Sequence, residues 1–464
     1  MIPVTCFAGK KVALFGLGGS GLSTAKALRE GAATVIAWDD HDHARQQARS
    51  AGIDVRNLHQ ASLKGFDALV LSPGVPLTHP EPHAVVKLAH EAQISIIGDI
   101  ELFFLERARA AFDGPVVAIT GTNGKSTTTA LIAHALNELG VDVAMGGNIG
   151  VPALELPPFT PGRHYVLECS SYQIDLAPSI APTIGVHLNL AEDHLARHGS
   201  MQNYATIKER LVASAETAVI GVDDAFSRAI ADRRRTSRAS FCLISASEQV
   251  SQGVFSRNGD VFFATEDGVR KLFDLKGAES LRGWHNAQNV CAAVASLIAL
   301  DIDAEKIGAA IRSFPGLSHR MEFVGEIENV RVINDSKATN ADAAAHALAS
   351  FSNIYWIVGG EPKSDGIEPL NEFFPQIVKA YLVGEAQDRF AQTLGGKVSH
   401  VKCETVEAAT KLALSDAITD RRVDATVLLS PACASFDQFK SFEARGDAFK
   451  RAVSRILKEA SAGG

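Results

Sequence analysis

Short apolar runs, each ended by glycine or a polar pair and followed by a stretch of helical spacing, recur along this chain of 464 residues. The first run, Lys11-Val12-Ala13-Leu14-Phe15, reads as a buried strand. A glycine turn, Gly16 to Gly21, follows, and then Leu22, Ala25 and Leu28 at helical spacing, stopped at Gly31. Residues 34–38 form a second strand ending in Asp39-Asp40, and residues 67–71 a third that runs into the rigid turn Ser72-Pro73-Gly74. A new series starts at Pro115-Val116-Val117-Ala118-Ile119, passes through a loop from Thr120 to Thr127, and continues as a helix closed by Gly140. Two further strands follow, residues 165–167 ending in Glu168 and residues 183–189 leading to Glu192-Asp193-His194. Asn258-Gly259 and Asp267-Gly268 punctuate short β runs and predict a small antiparallel meander. Trp284 opens an alanine-rich helix, and strands at residues 330–334, 354–358, 380–383 and 426–429 then alternate with helical stretches.

That alternation predicts an α/β protein built on parallel, doubly wound sheets. Three domains are expected: a Rossmann-like N-terminal domain over 1–103, a P-loop-like central domain with a parallel sheet and the meander over 104–316, and a Rossmann-like C-terminal domain over 317–464. The first boundary is set at Phe103 because a charged helical segment and Asp113-Gly114-Pro115 separate it from the next strand.

Composition narrows the class. Hydrophobic residues make up 46% and charged residues 21% of the chain, ordinary for a folded protein. With 53 acidic against 45 basic residues, the formal charge of −8 argues against nucleic acid or an anionic membrane as partner. The six cysteines are scattered with no C-x-x-C pair, which reads as reduced thiols. No signal-peptide pattern and no membrane-length apolar stretch is evident, so a cytoplasmic, monomeric, multidomain enzyme is expected.

The chemistry concentrates at two glycine loops. Gly16-Leu17-Gly18-Gly19-Ser20-Gly21, with an acid about twenty residues on, is the Rossmann fingerprint. It accepts a nicotinamide or flavin dinucleotide, or any nucleotide diphosphate, because the diphosphate meets the helix N-terminus whichever sugar follows. The second loop, Gly121-Thr122-Asn123-Gly124-Lys125-Ser126-Thr127, lies between strand and helix and predicts a phosphate cradle, with Lys125 for the terminal phosphates and Ser126 for Mg²⁺. The first glycine of the full P-loop pattern is replaced by Ile119. Glu168 and His194 fall at strand ends on the same rim, where a carboxylate and an imidazole suit metal and phosphate chemistry; a surface glutamate and a capping histidine are the ordinary alternative. Asn286 and Asn289 share one helix face, as caps or as ligands.

Taken together, the run Thr120 to Thr127, Glu168, Glu192-Asp193-His194, His285-Asn286 and His319-Arg320 resemble the Mur ligases, ATP-dependent amide-forming enzymes of peptidoglycan precursor synthesis. Gly146 to Gly150, Asn334 to Asn340, and Ser430 to Phe439 look like the branch that joins D-glutamate to UDP-N-acetylmuramoyl-L-alanine. The resemblance covers essentially the whole chain. It implies that the first domain binds the UDP precursor, with Gly18, Ser20 and Gly21 at the diphosphate, Asp39 and Asp40 toward the uridine, and Ser72, Gly74 and Asn148 also on the precursor. It implies ATP between the second and third domains, held by Gly121 to Thr127, Asn286, Asn289, Arg320 and Asp335, with Arg320 and Lys125 screening the phosphoryl charge. Two Mg²⁺ ions are implied, with Ser126, Glu168, His194 and a carbamylated Lys208 as their ligands. For D-glutamate it implies Lys337, Thr339, Lys363, Ser435 and Phe442.

Three alternatives bear on these residues. Another Mur-type ligase or a folylpolyglutamate synthase would share the loop and the metal residues but lack the Ser430 to Phe439 run. A nicotinamide-dependent oxidoreductase would use the first glycine turn and leave the second loop without a task. A non-catalytic nucleotide-binding protein would tolerate loss of Lys125 or His194.

Overall fold

The alternation of strands and helices closes into three sheets in a computed structural model that describes residues 1–237, 239–281, 283–362 and 366–462. These belong to two compact units, one of Met1–Gly277 with Trp284–Phe314 and one of Ala278–Gly283 with Pro315–Gly464.

The first unit holds two sheets. Strands β1 (Lys11–Phe15), β2 (Thr34–Trp38), β3 (Asp54–Val55), β4 (Ala68–Leu71) and β5 (Ser95–Ile97) lie in the order β3-β2-β1-β4-β5, all parallel. Helices cover both faces, which is why β1 and β4 read as unbroken apolar runs and are buried almost throughout. Strands β3 and β5 are too short to show a period and were not legible as strands.

The second sheet comprises β6 (Val116–Thr120), β7 (Val143–Gly147), β8 (His164–Glu168), β9 (Ile184–His187), β10 (Thr217–Gly221), β11 (Ser240–Ser245), β12 (Gly253–Arg257), β13 (Asp260–Thr265) and β14 (Gly268–Asp274). Its order is β14-β13-β12-β11-β10-β9-β6-β8-β7. The meander is therefore a continuous edge of this sheet: β12 pairs parallel to β11, and β12, β13 and β14 pair antiparallel. Its first turn places both Asn258 (φ 53°) and Gly259 (φ 82°) in the left-handed region, as an Asn-Gly hairpin requires.

Residues 101–109, read from the sequence as a charged helical segment, lie in the helix Asp99–Arg109, with Phe103 in its middle. Phe103 is fully buried, with edge-on contacts to Phe159 and Tyr165 at 5.4 Å. Two interior carboxylates of the helix are acceptors. Glu101 takes the Ser179 N–H and hydroxyl, and Glu106 takes the Thr5 hydroxyl and the Cys6 N–H.

In the second unit, β15 (Glu322–Ile327), β16 (Val330–Asn334), β17 (Ile354–Gly359), β18 (Ile377–Val383), β19 (His400–Glu404) and β20 (Thr426–Leu429) form one sheet in the order β15-β16-β20-β17-β18-β19. All pairs are parallel except β15 with β16, a departure from the wholly parallel expectation. Buried side chains fill both faces, Trp356 and Phe390 on one and Tyr355, Tyr381 and Phe449 on the other. Among the described residues no helix is long and apolar enough to cross a membrane, and all six cysteines are free thiols.

Candidate functional site

Strand β6 runs through Ile119, which is fully buried and paired with Glu168 of β8 and Val186 of β9. The position that holds glycine in the longer loop pattern is thus strand interior here. The loop begins only at Gly121 and ends at Gly124, which caps the helix Lys125–Glu138 at φ 82°. A Cβ on Gly124 would sit 2.1 Å from Asn289 Oδ1, so glycine at this site lets the asparagine reach the loop. Asn289 also accepts the Thr128 hydroxyl at 3.2 Å and donates to Asn286 Oδ1 at 3.1 Å. Lys125 Nζ donates to the Gly121 and Thr122 carbonyls at 3.0 and 2.7 Å, lying across the loop, while Ser126 is buried in the first helical turn and Thr127 half-buried beside it.

Beside the loop lies a buried pair of groups with opposite charge tendencies. Lys208, on the helix Met201–Ala213, is 1% exposed and donates to Thr120 Oγ1 at 3.1 Å and Gly121 O at 2.7 Å. Burial holds its ammonium well below the usual lysine range, and the neighbouring Lys125 charge adds to this. Glu168, at the end of β8, is 2% exposed; its Oε1 accepts from Asn148 Nδ2 at 2.8 Å. Its Oε2 is buried with no hydrogen-bond partner among the described residues. An orphaned carboxylate oxygen beside a serine-bearing phosphate loop fits a hard divalent cation, which takes oxygen ligands. His194 is half-exposed at φ 55°, 3.3 Å from Asp193 and 5.1 Å from the Tyr172 ring.

Several residues that carry this site were not singled out from the sequence. Asn189, beyond the end of β9, accepts the Asn123 N–H at 2.9 Å and donates to Gln288 at 2.7 Å; Gln288 in turn donates to Asp223. Arg197 donates to the carbonyls of Pro73, Val75 and His79 and lies over the Tyr172 ring, tying the Ser72–Gly74 turn to the segment after His194. Asn189 at a strand end carried a signal of the same kind as Glu168; Arg197 carried none.

The first glycine turn is organised differently. A Cβ on Gly21 would lie 1.9 Å from the Gly16 carbonyl oxygen, so the turn closes only with glycine there. Gly18 is exposed and Ser20 half-buried. Asp39 is buried, and its carboxylate is committed to the backbone: Leu17 N–H at 2.6 Å and His41 N–H at 2.8 Å, with His41 Nδ1 at 3.0 Å. Burial opposes its ionisation, yet these donors outweigh it and hold the carboxyl below the usual range. Asp40 faces outward to His59 and His83. Ser72 donates its N–H to Phe15 O, and Gly74 is exposed.

In the second unit, Arg445 is the hub. Its fully buried guanidinium donates to Ser336 Oγ and O, Cys433 O and Ala434 O at 2.8–3.1 Å, fastening the turn after β16 to the turn after β20. Nothing in its helical sequence context marked it. This brings Lys337, Thr339, Ser435 and Phe442 into one neighbourhood: Ser336 Oγ donates to Phe442 O, and Lys337 Nζ lies 5.6 Å from the Phe442 ring centre. Asp335 is buried and accepts from Ser430 Oγ at 2.9 Å; burial pushes its carboxyl up to about 7 against the Ser430 and Met321 hydrogen bonds and the Arg320 charge. The Arg320 Nε–H is buried without a partner among the described residues, between His319 and Met321 at φ 63° and 47°. Lys363 lies outside the described residues.

Comparison with known proteins completes the picture. Residues 10–98 match the Mur ligase MurD-like N-terminal domain, residues 119–297 the Mur ligase middle domain, and residues 319–433 the Mur ligase glutamate ligase domain. The chain is 56% identical to a UDP-N-acetylmuramoylalanine–D-glutamate ligase of Rhizobium meliloti, over 98% of each chain. It is 55% identical to the ligase of that name in Brucella abortus, over 98% of this chain and 97% of the relative. Among solved structures, a UDP-N-acetylmuramate-alanine ligase from Thermotoga maritima aligns with a TM-score of 0.56 at 16% identity, covering 97% of this chain and all of that one. A pseudomurein peptide ligase from Methanothermus fervidus aligns at 0.53 and 16%, covering 96% of this chain and all of that one. At such identities these two neighbours speak for the fold alone.

Proposed function

This chain belongs to the Mur ligase family, and from that premise we propose that it joins D-glutamate to UDP-N-acetylmuramoyl-L-alanine at the expense of ATP, a step of peptidoglycan synthesis. The observation that carries the substrate assignment is the end-to-end likeness at 56% identity to a ligase named for that reaction. The site geometry is consistent with the chemistry required. The alanyl carboxylate of the precursor attacks the terminal phosphoryl group, ADP leaves, and the resulting acyl phosphate is opened by the D-glutamate amine with release of phosphate. An anion attacking an anion needs fixed positive charge in place beforehand. Lys125 supplies it from the loop; in the second unit, the buried Arg320 Nε–H has no partner among the described residues and is a donor suited to an anion.

Mg²⁺, when bound, would neutralise phosphate charge; Ser126, the orphaned Glu168 oxygen and His194 are the residues to hold it. Asn148 fixes the Glu168 carboxylate so that its second oxygen stays presented. Burial lowers the Lys208 pKa, which favours the neutral amine, the form that adds CO₂ with loss of a proton to give a carbamate. That conversion turns a cation beside the loop into a second carboxylate-like ligand. In the C-terminal unit, Lys337, Thr339, Ser435 and Phe442, fastened by Arg445, receive the amino acid, whose two carboxylates need cationic and hydroxyl donors. Asp39 and the Gly16–Gly21 turn shape the loop for the precursor's diphosphate.

The test is phosphate release from ATP with UDP-N-acetylmuramoyl-L-alanine, adding D- or L-glutamate in parallel. Turnover is expected only with D-glutamate; equal rates with L-glutamate, L-lysine or diaminopimelate would sink the assignment. Lys208→Ala is expected to be inactive and partly restored by a small added carboxylate. Full activity of that variant would refute the carbamate.

A further inference from the structure

At the carboxyl ends of the first sheet, away from the second loop and its carboxylate, three side chains from different segments converge. Asp40 follows β2, His59 lies in the loop after β3, and His83 caps the helix Ala84–Glu91. Asp40 Oδ1 lies 2.7 Å from His59 Nε2, and its Oδ2 lies 3.5 Å from His83 Nε2. The three ligand atoms all fall within 4.8 Å of one another, and this is the one such group of histidine, cysteine and acidic side chains among the described residues. Each carboxylate oxygen faces a different imidazole. Both rings pack on Phe15, with centroids at 5.6 Å for His59 and 4.6 Å for His83, so their orientation is held from below by an apolar wall. The imidazoles are partly buried, at 32% and 22% side-chain exposure, while the carboxylate at 51% leaves the cluster open to solution.

We propose that Asp40, His59 and His83 form a binding site for a borderline-soft divalent transition metal of the Zn²⁺ class. Two imidazole nitrogens and one carboxylate oxygen are a donor set that selects Zn²⁺, Co²⁺ or Ni²⁺ over Mg²⁺, which prefers oxygen and keeps its water. Ligand atoms around a tetrahedral zinc stand roughly 3.3 Å apart, close to the Asp40–His83 separation of 3.5 Å. His83 gives up a long contact to do this, since its Nδ1 accepts the Val85 N–H at 3.3 Å. The fourth position faces solvent. An occupied site would cross-link the loop after β3, the end of β2 and the start of the Ala84–Glu91 helix. It is separate in place and in ligand chemistry from the Mg²⁺ residues at the second loop.

The experiment is equilibrium dialysis of the tag-free chain against Zn²⁺ in millimolar Mg²⁺, with the visible absorption of added Co²⁺ as a second readout. One equivalent of Zn²⁺ held at micromolar concentration is expected, with a Co²⁺ band of a nitrogen–oxygen site. His59→Gln and His83→Gln should each abolish that equivalent, and Asp40→Asn should weaken it. Undiminished binding in His59→Gln would overturn the proposal, because the ion would then sit elsewhere, and so would an absence of binding below millimolar Zn²⁺. His59 sits in a surface loop, so this arm survives even if a variant at the helix cap folds poorly; circular dichroism of each variant checks the fold. Neither readout depends on ligase turnover, so failure here leaves the reading of the reaction untouched.

Discussion

The two glycine loops of the first unit are built to one plan, strand, glycine turn, helix, yet they prepare for different work. The Gly16–Gly21 turn is neutral and self-satisfied. Its glycine at position 21 is demanded by a backbone oxygen 1.9 Å from where a Cβ would lie, and its nearby acid, Asp39, spends both oxygens on backbone N–H groups. The Gly121–Gly124 loop is instead surrounded by ionisable side chains. Lys125 crosses it, burial lowers the pKa of Lys208, and the buried Glu168 has an oxygen with no partner among the described residues. A turn that satisfies itself can hold a ligand in place. A loop ringed by buried ionisable groups can take part in moving charge. The motif alone does not separate the two; the surrounding shell does.

The comparison breaks most visibly at Lys125. Lys125→Ala is expected to lower phosphate release by about 10³-fold with the fold intact, because it removes charge stabilisation where charge develops. A loss of less than tenfold would make the two loops equivalent holders. Glu168→Gln should follow, with roughly 10–100-fold lower turnover and a higher Mg²⁺ requirement, while the Asn148 bond to the remaining oxygen is kept. A Mg²⁺ titration of turnover reads this directly, and an unchanged half-saturation would remove Glu168 from the metal.

A smaller effect is set by His187, buried on β9 next to the second loop, where the first loop has no counterpart. Burial depresses its pKa to about 3, with the Lys208 charge adding to this, while the unfolded chain titrates near 6.5. Between these values the unfolded state binds more protons, so stability is complete above pH 6.5 and is lost as pH falls. The loss amounts to about 2 kcal/mol between pH 7 and pH 5. Buried His198, depressed to about 4, adds to the slope in the same sense. Denaturant unfolding across that range should show the slope and a shallower one in His187→Gln; a flat wild-type profile would contradict it. The smallest effect is expected at Asp39→Asn, which keeps an acceptor for the Leu17 N–H but loses its charge. It should cost about 1 kcal/mol of stability and leave the KM for ATP unchanged. A raised KM for ATP would show that the first turn reaches the second site.

How much of this could be read from the chain follows the range of the interactions. The strand–loop–helix units at Lys11 and Val116 were legible because four consecutive apolar residues and a glycine turn encode them locally. So was the hairpin at Asn258-Gly259, since its backbone angles are a property of two residues. The helix at Glu101 was legible, but the partners of Glu101 and Glu106 were not, because their carboxylates meet donors some 80–100 residues away. Arg197 and Arg445 were invisible for the same reason: their partners are loop carbonyls, which have no sequence signature.

What the sequence by itself determined is the kind of chemistry: two phosphate-type loops, acids at strand ends, and the long C-terminal motifs that point to D-glutamate. What only the tertiary structure decided is which of those groups meet and which keep an atom without a partner. Lys208 comes under the loop from 88 positions beyond Thr120. Among the described residues Glu168 keeps one oxygen unpaired while Asp39 keeps none. Whether a buried charge is satisfied depends on sheet order and on what packs over it, and these are sums over contacts distant in the chain that no local pattern records.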